Sequence, residues 1–106
     1  MKEVVFNNTI INVGANAREN WLLVDSSSDY IWLHLNSFPS CHVVIESAIP
    51  TQEELLFAAE LCKQNTKYRN LCNLKICYTT CGNLKKGGDV GSVVYKSKRN
   101  VKYIVV

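Results

Sequence analysis

At 106 residues, with 47% hydrophobic and 20% charged residues, the chain has the size and composition of one globular domain, which excludes a disordered tail. No run approaches the ~20 apolar residues of a membrane-crossing helix. The chain turns polar at Asn7 and Asn8, too early for a signal-peptide core, so a cytoplasmic location is expected, with a nuclear one as the alternative. The net charge of +3 hides an asymmetry. Residues 1–60 carry two basic and eight acidic residues, whereas residues 61–106 carry ten basic residues and only Asp89 as an acid. Such a basic half is the electrostatic footprint expected for a polyanion such as RNA or DNA, the plain alternative being lysines that are merely solvated.

In chain order, two apolar runs at 4–6 and 10–13 flank Asn7-Asn8-Thr9 and predict an opening β-hairpin. Gly14 breaks the strand, and residues 15–24 read as a short helix with Ala17, Trp21 and Val24 on one face. A serine-rich turn leads into a strand over 30–35 with clean alternation. Its Ile31, Leu33 and Leu35 are expected in the core, with Tyr30, Trp32 and His34 on the opposite face. A loop with Pro39 precedes a strand over 41–46. Thr51 and Glu54 form a capping box behind Pro50, and the helix they open carries Leu55, Ala58, Ala59 and Cys62 on one side and ends near Asn65. After a basic connection, three strands are expected at 74–79, 92–96 and 101–106, the last two joined as a hairpin through the polar tip at 97–100. The expected fold is α+β: a mostly antiparallel sheet with an N-terminal hairpin and two helices, in a single domain.

The cysteines point to a reduced compartment. Five is an odd number, and Cys41, Cys62, Cys72, Cys77 and Cys81 include no C-x-x-C pair, so neither a disulfide framework nor a zinc site is expected. Cys62 and Cys77 fall where a free thiol acts as a small hydrophobe. No metal or other cofactor is predicted.

Three groups of residues could carry a function. Tyr30, Trp32 and His34, joined by His42 from the next strand, could form an aromatic face on which unpaired bases stack. Equally, the helix from Thr51 could cover that face and bury Trp32. Asn83, Lys85 and Lys86 precede Gly87-Gly88, where backbone N–H and ammonium groups could converge on a phosphate, with Lys98 and Arg99 on a neighbouring loop. The spacing is not that of a Walker motif. Finally, His34, His42 and Cys41 contain the elements of a nucleophile–base pair, although nothing in their spacing sets its geometry.

Taken together, Tyr30-Ile31-Trp32-Leu33-His34, Pro39 and His42-Val43-Val44-Ile45 resemble the NFACT RNA-binding domain, whose signature is a W-[FL]-H strand, a Pro-Gly turn and an H-V strand. Tyr78-Thr79, Asn83-Leu84-Lys85-Lys86, Gly91 and Val93-Val94-Tyr95 continue the likeness, as do Gly14, Asn16, Glu19 and Asn20 near the first helix. It runs from about Ile10 to the end of the chain. The resemblance implies an α+β fold and RNA binding, as one part of ribosome-associated quality-control factors that engage the large subunit and tRNA. Asp89-Val90-Gly91 after Asn-Leu-Lys-Lys is similar to the standalone eukaryotic-type members, which usually continue into a coiled coil. Ser40 stands where the family has its turn glycine, Cys41 replaces a small Ser or Ala, and Asn36 and Ser37 stand where Lys and Asp are common. The loop after Lys86 is shorter than usual, with Gly87 in place of a proline.

The reading that unites these features is a non-catalytic RNA-binding module, with tRNA or ribosomal RNA as the partner, DNA as a possible one, and a protein of a ribosome-associated complex alongside. Its expected contacts are Tyr30, Trp32, His34, His42, Asn83, Lys85, Lys86, Lys98 and Arg99. The alternatives are a protein-interaction module whose basic face meets an acidic protein, and a small metal-independent hydrolase or nuclease built on His34 and His42.

Overall fold

The structure is a computed structural model and describes residues 1–106. Strands β1 (Lys2–Phe6) and β2 (Thr9–Val13) form the opening hairpin, and Asn7 and Asn8 both take positive φ (51° and 63°), as a tight primed turn requires. Helix α1 spans Ala17–Val24, two residues shorter at its start than expected, because Asn16 caps it by accepting a bond from the Glu19 N–H. Strands β3 (Ile31–Leu35) and β4 (Val43–Ile45) follow, then helix α2 (Gln52–Gln64). The capping box at its start is complete: the Glu54 N–H donates to Thr51 Oγ1 (3.1 Å) and the Thr51 N–H donates to Glu54 Oε1 (2.8 Å). Strand β5 (Lys75–Thr80) leads to short strands β6 (Leu84–Lys86) and β7 (Val93–Tyr95), and β8 (Lys102–Val105) closes the chain.

Six strands make one antiparallel sheet in the order β1-β2-β4-β3-β5-β8, while β6 and β7 pair separately as a two-stranded ribbon. The fold is thus α+β, a single domain with two helices, as the residue pattern predicts. The expected hairpin between the last two strands is not there. A 3₁₀ turn at Lys98–Asn100 separates them, and β7 pairs back onto β6 while β8 crosses to the edge of the main sheet beside β5. Asn83 fixes this departure, since its Nδ2 donates to Ser97 O (2.8 Å) and its Oδ1 accepts from Ser97 N (2.8 Å).

Each face of the sheet has its own cover. Alternation along β3 sends Leu33 and Leu35 toward α2, where small Ala58, Ala59 and Cys62 let the helix sit close to the strands. On the other face Trp32, Val44 and Cys77 lie beneath Leu23 and Val24 of α1 and Leu84 of β6. The two buried layers explain why a 106-residue chain needs no cross-link. All five cysteines are free, with Cys62, Cys77 and Cys81 buried in the core. A thiol titration of the denatured, non-reduced protein is expected to count five groups; a count of three or fewer would reveal a disulfide.

Candidate nucleic-acid interface

A cleft of about 1190 Å³ opens between the sheet, the start of α1, the 36–42 loop and the ribbon. Two elements close it. Gly91, with φ +91°, packs on Ala17 so tightly that a Cβ there would lie 2.9 Å from Ala17 Cα, which draws the ribbon turn onto the start of α1. The backbone of His42 is held from both sides, its O accepting from Gly14 N (3.0 Å) and its N–H donating to Asn20 Oδ1 (3.1 Å). The turn after Gly14 therefore sets where the His42 ring lies.

Four rings meet along the inner wall. Trp32 stacks on His34 (centroids 5.5 Å apart, 7° between planes) and meets His42 and Tyr95 edge-on at 5.2 and 6.0 Å. His34 and His42 are themselves edge-on at 5.2 Å. His34 Nδ1 lies 2.7 Å from Leu35 O; a carbonyl only accepts, so this nitrogen carries the proton and Nε2 is left as the acceptor of the neutral ring. Burial lowers the pKa of His34 below the usual imidazole value, against the opposing pull of the Leu35 carbonyl. His42 is driven down to about 3, first by burial and then by the neighbouring His34. Burial also raises the Tyr95 phenol, whose oxygen is 3.2 Å from Cys77 Sγ. At neutral pH all of these rings are uncharged, and Lys67 is the sole charged side chain lining the cleft, with no carboxylate there. Two polar atoms of the wall, Trp32 Nε1 and His42 Nδ1, are buried without a hydrogen-bond partner.

The structure sorts the predicted contacts. Trp32, His34 and His42 come together in the cleft. Trp32 is not an open stacking surface, however, because its exposure is 0%. Nor is its cover the α2 helix; α1 and the ribbon bury it instead. Tyr30 lies apart from the cleft, half-buried against the Trp32 layer. Asn83 is buried, and beyond its Ser97 bonds its Nδ2 donates to Thr79 Oγ1 (3.0 Å), so its amide is spent inside the protein. Lys85 and Lys86 sit on β6, not in a glycine loop; Gly87 and Gly88 begin the connection to β7. Lys86 is paired with Asp25 (2.7 Å) and lies over the Trp21 ring (5.4 Å), whereas Lys85 is exposed and unpaired. Lys98 and Arg99 are exposed on the 3₁₀ turn before β8.

Sequence reasoning missed Tyr95 and Lys67. Tyr95 had a usable signal, since Val93-Val94-Tyr95 alternates and places Tyr95 on the side of Val93, which packs against the Trp32 layer. Lys67 had none, because it lies past the end of α2 in a connection without periodicity. The arrangement does not form a nucleophile–base pair. His34 Nε2 is free to accept, but the hydrogen-bond acceptor of the Cys41 thiol is Cys62 O at 4.0 Å, not an imidazole.

Fold and cleft together define a small α+β domain with a ring-lined cleft that holds one cation, Lys67, and no carboxylate. No family model matches the chain. It is 34% identical to the Rqc2 homolog RqcH of Bacillus subtilis in an alignment 95 residues long that covers 86% of this chain. Its fold superposes with a TM-score of 0.89 on the solved C-terminal part of the fibronectin/fibrinogen-binding protein of Streptococcus suis (FBPS), at 28% identity over 98% of this chain. The chain is related to RqcH and, through it, to the NFACT proteins. It spans only 17% of the length of RqcH and 44% of the solved FBPS chain.

Proposed function

We propose that this chain is a non-catalytic RNA-binding module of the standalone NFACT RNA-binding type, acting in the cytoplasm on tRNA or on the ribosome in quality control. The observation that carries this reading is a cleft lined by uncharged rings, Trp32, His34, His42 and Tyr95 among them, with Lys67 as its cation and no carboxylate. Unpaired bases stack on aromatic and imidazole rings, and phosphates need cations without competing acids. The relationship to RqcH supports the ribosomal setting. In this reading His34 and Tyr95 meet bases, while Lys85, Lys98 and Arg99 meet phosphates and position the strand without reading its sequence. Trp32 and His42 shape the wall, and Tyr30 and Asn83 support it from within.

Two variants test the division of labour. His34→Ala is expected to weaken single-stranded RNA binding by ~1–3 kcal/mol and leave the salt dependence nearly unchanged. The double variant Lys85→Ala, Lys86→Ala is expected to weaken all RNAs about equally. Its slope of log K against log salt should fall by about 0.7, the share of Lys85 alone, because Asp25 already counters Lys86. Wild-type affinity in a folded His34 variant would remove the stacking role.

A further inference from the structure

Two buried polar atoms without partners are costly, about 1–3 kcal/mol each, and here both belong to residues that line one cleft. Trp32 Nε1 is a fixed donor, and His34 Nε2, with its partner nitrogen tied to Leu35 O, is a fixed acceptor. His42 Nδ1, in a ring that stays neutral, serves as either according to tautomer. This set suits a planar, uncharged heterocycle whose edge carries donors and acceptors side by side. The single cation of the lining, Lys67, suits one negative group attached to that ring. Lys67 is exposed and lies at the end of the cleft formed by the segment after α2.

We infer that the cleft seats one unpaired nucleotide of a single-stranded RNA, its base beside His34 with its edge toward His34 Nε2, Trp32 Nε1 and His42 Nδ1, and its phosphate on Lys67. The inference rests on the RNA-binding reading and names the site and the unit bound. Trp32 has no exposed surface, so its N–H is reached only when a ring packed on it turns aside. Tyr95 is the ring suited to this, being half-exposed on a three-residue strand of the two-stranded ribbon. Binding therefore registers on the buried indole as well as on the rim.

The test uses the full chain labelled with ¹⁵N. Its probes are the four 5′-nucleoside monophosphates, their nucleosides, inorganic phosphate, and an unpaired five-nucleotide RNA. Monophosphates and RNA are expected to shift the Trp32 indole N–H resonance. The Trp21 indole is the internal control, since it already donates to Ser92 O (2.8 Å). The monophosphate should bind roughly two- to fivefold tighter than its nucleoside, the usual gain from one exposed ion pair. Lys67→Ala should erase that gain and leave nucleoside affinity unchanged, and Trp32→Phe should weaken every ring-bearing probe by roughly two- to tenfold. An unmoved Trp32 indole while the RNA still binds would overturn the proposal and leave the RNA reading standing. Phosphate alone reproducing the monophosphate affinity would overturn it as well, as a site for anions only. If neither nucleotide nor RNA binds, both readings fall together.

Discussion

Acidification from pH 6.5 to pH 3 is expected to cost the folded protein roughly 3–5 kcal/mol, most of it through one side chain. His42 is 2% exposed among Trp32, His34 and Asn20, with no carboxylate in the cleft to welcome a proton, and its pKa lies at about 3 against an ordinary 6.5. Between those values the unfolded chain binds the proton and the folded one does not. Stability is therefore complete above pH 6.5 and is lost as the pH falls toward 3. His34, lowered by burial, acts in the same direction. Glu19 and Glu54 are held below their usual 4.5 by hydrogen bonds from the N-terminal ammonium and from Thr9, so their losses begin only under that pH. Urea unfolding at pH 7.0, 5.5 and 4.5 isolates the histidines. The wild type should lose roughly 2–3 kcal/mol across that range, and His42→Leu should lose much less. A wild type equally stable at pH 7.0 and 4.5 would show that the imidazole accepts its proton without difficulty.

Trp32→Ala is expected to destabilise the fold by about 3–5 kcal/mol, which makes it the most damaging single truncation in the cleft wall. The indole has 0% exposure and packs against three rings and the α1–β6 layer. Its removal leaves a cavity that short strands β6 and β7 must collapse into or leave open. An exposed stacking residue would behave differently, since surface substitutions usually stay within ±0.5 kcal/mol. Thermal unfolding therefore decides between the two positions. A drop of roughly 12 °C or more marks a core residue, and a change of a few degrees marks a surface one. A nearly unchanged melting temperature would place Trp32 back on an open face.

Much of this architecture is legible in the residues because local signals and burial agree. Thr51 and Glu54 announce α2, Asn7-Asn8 announces the first turn, and the alternation of residues 31–35 assigns Leu33 and Leu35 to the α2 side. The histidines were readable as a pair because each lies on or beside one of two adjacent strands. What was not readable depends on long-range pairing. The strand expected at 92–96 contains β7, but β6 has three residues, too few for a period to emerge. Lys85-Lys86 beside two glycines reads as a loop, so β7 is assigned the last strand as its partner in place of β6. Once that ribbon is missed, nothing reveals that it joins α1 over Trp32, and the ring reads as either open or covered by the wrong helix. Asn83 looked like a ligand contact for the same reason. Its partner, Ser97, is fourteen residues away, and only the folded chain brings the two together.

Equilibrium binding of a labelled single-stranded RNA to the intact chain, measured between about 50 and 200 mM salt, tests the RNA-binding reading at its root. Four or five phosphate contacts predict that log K falls against log salt with a slope of roughly −3 to −4, with a residual affinity at the highest salt that His34→Ala removes. No saturable binding at low salt, or binding with a flat salt response, would contradict it.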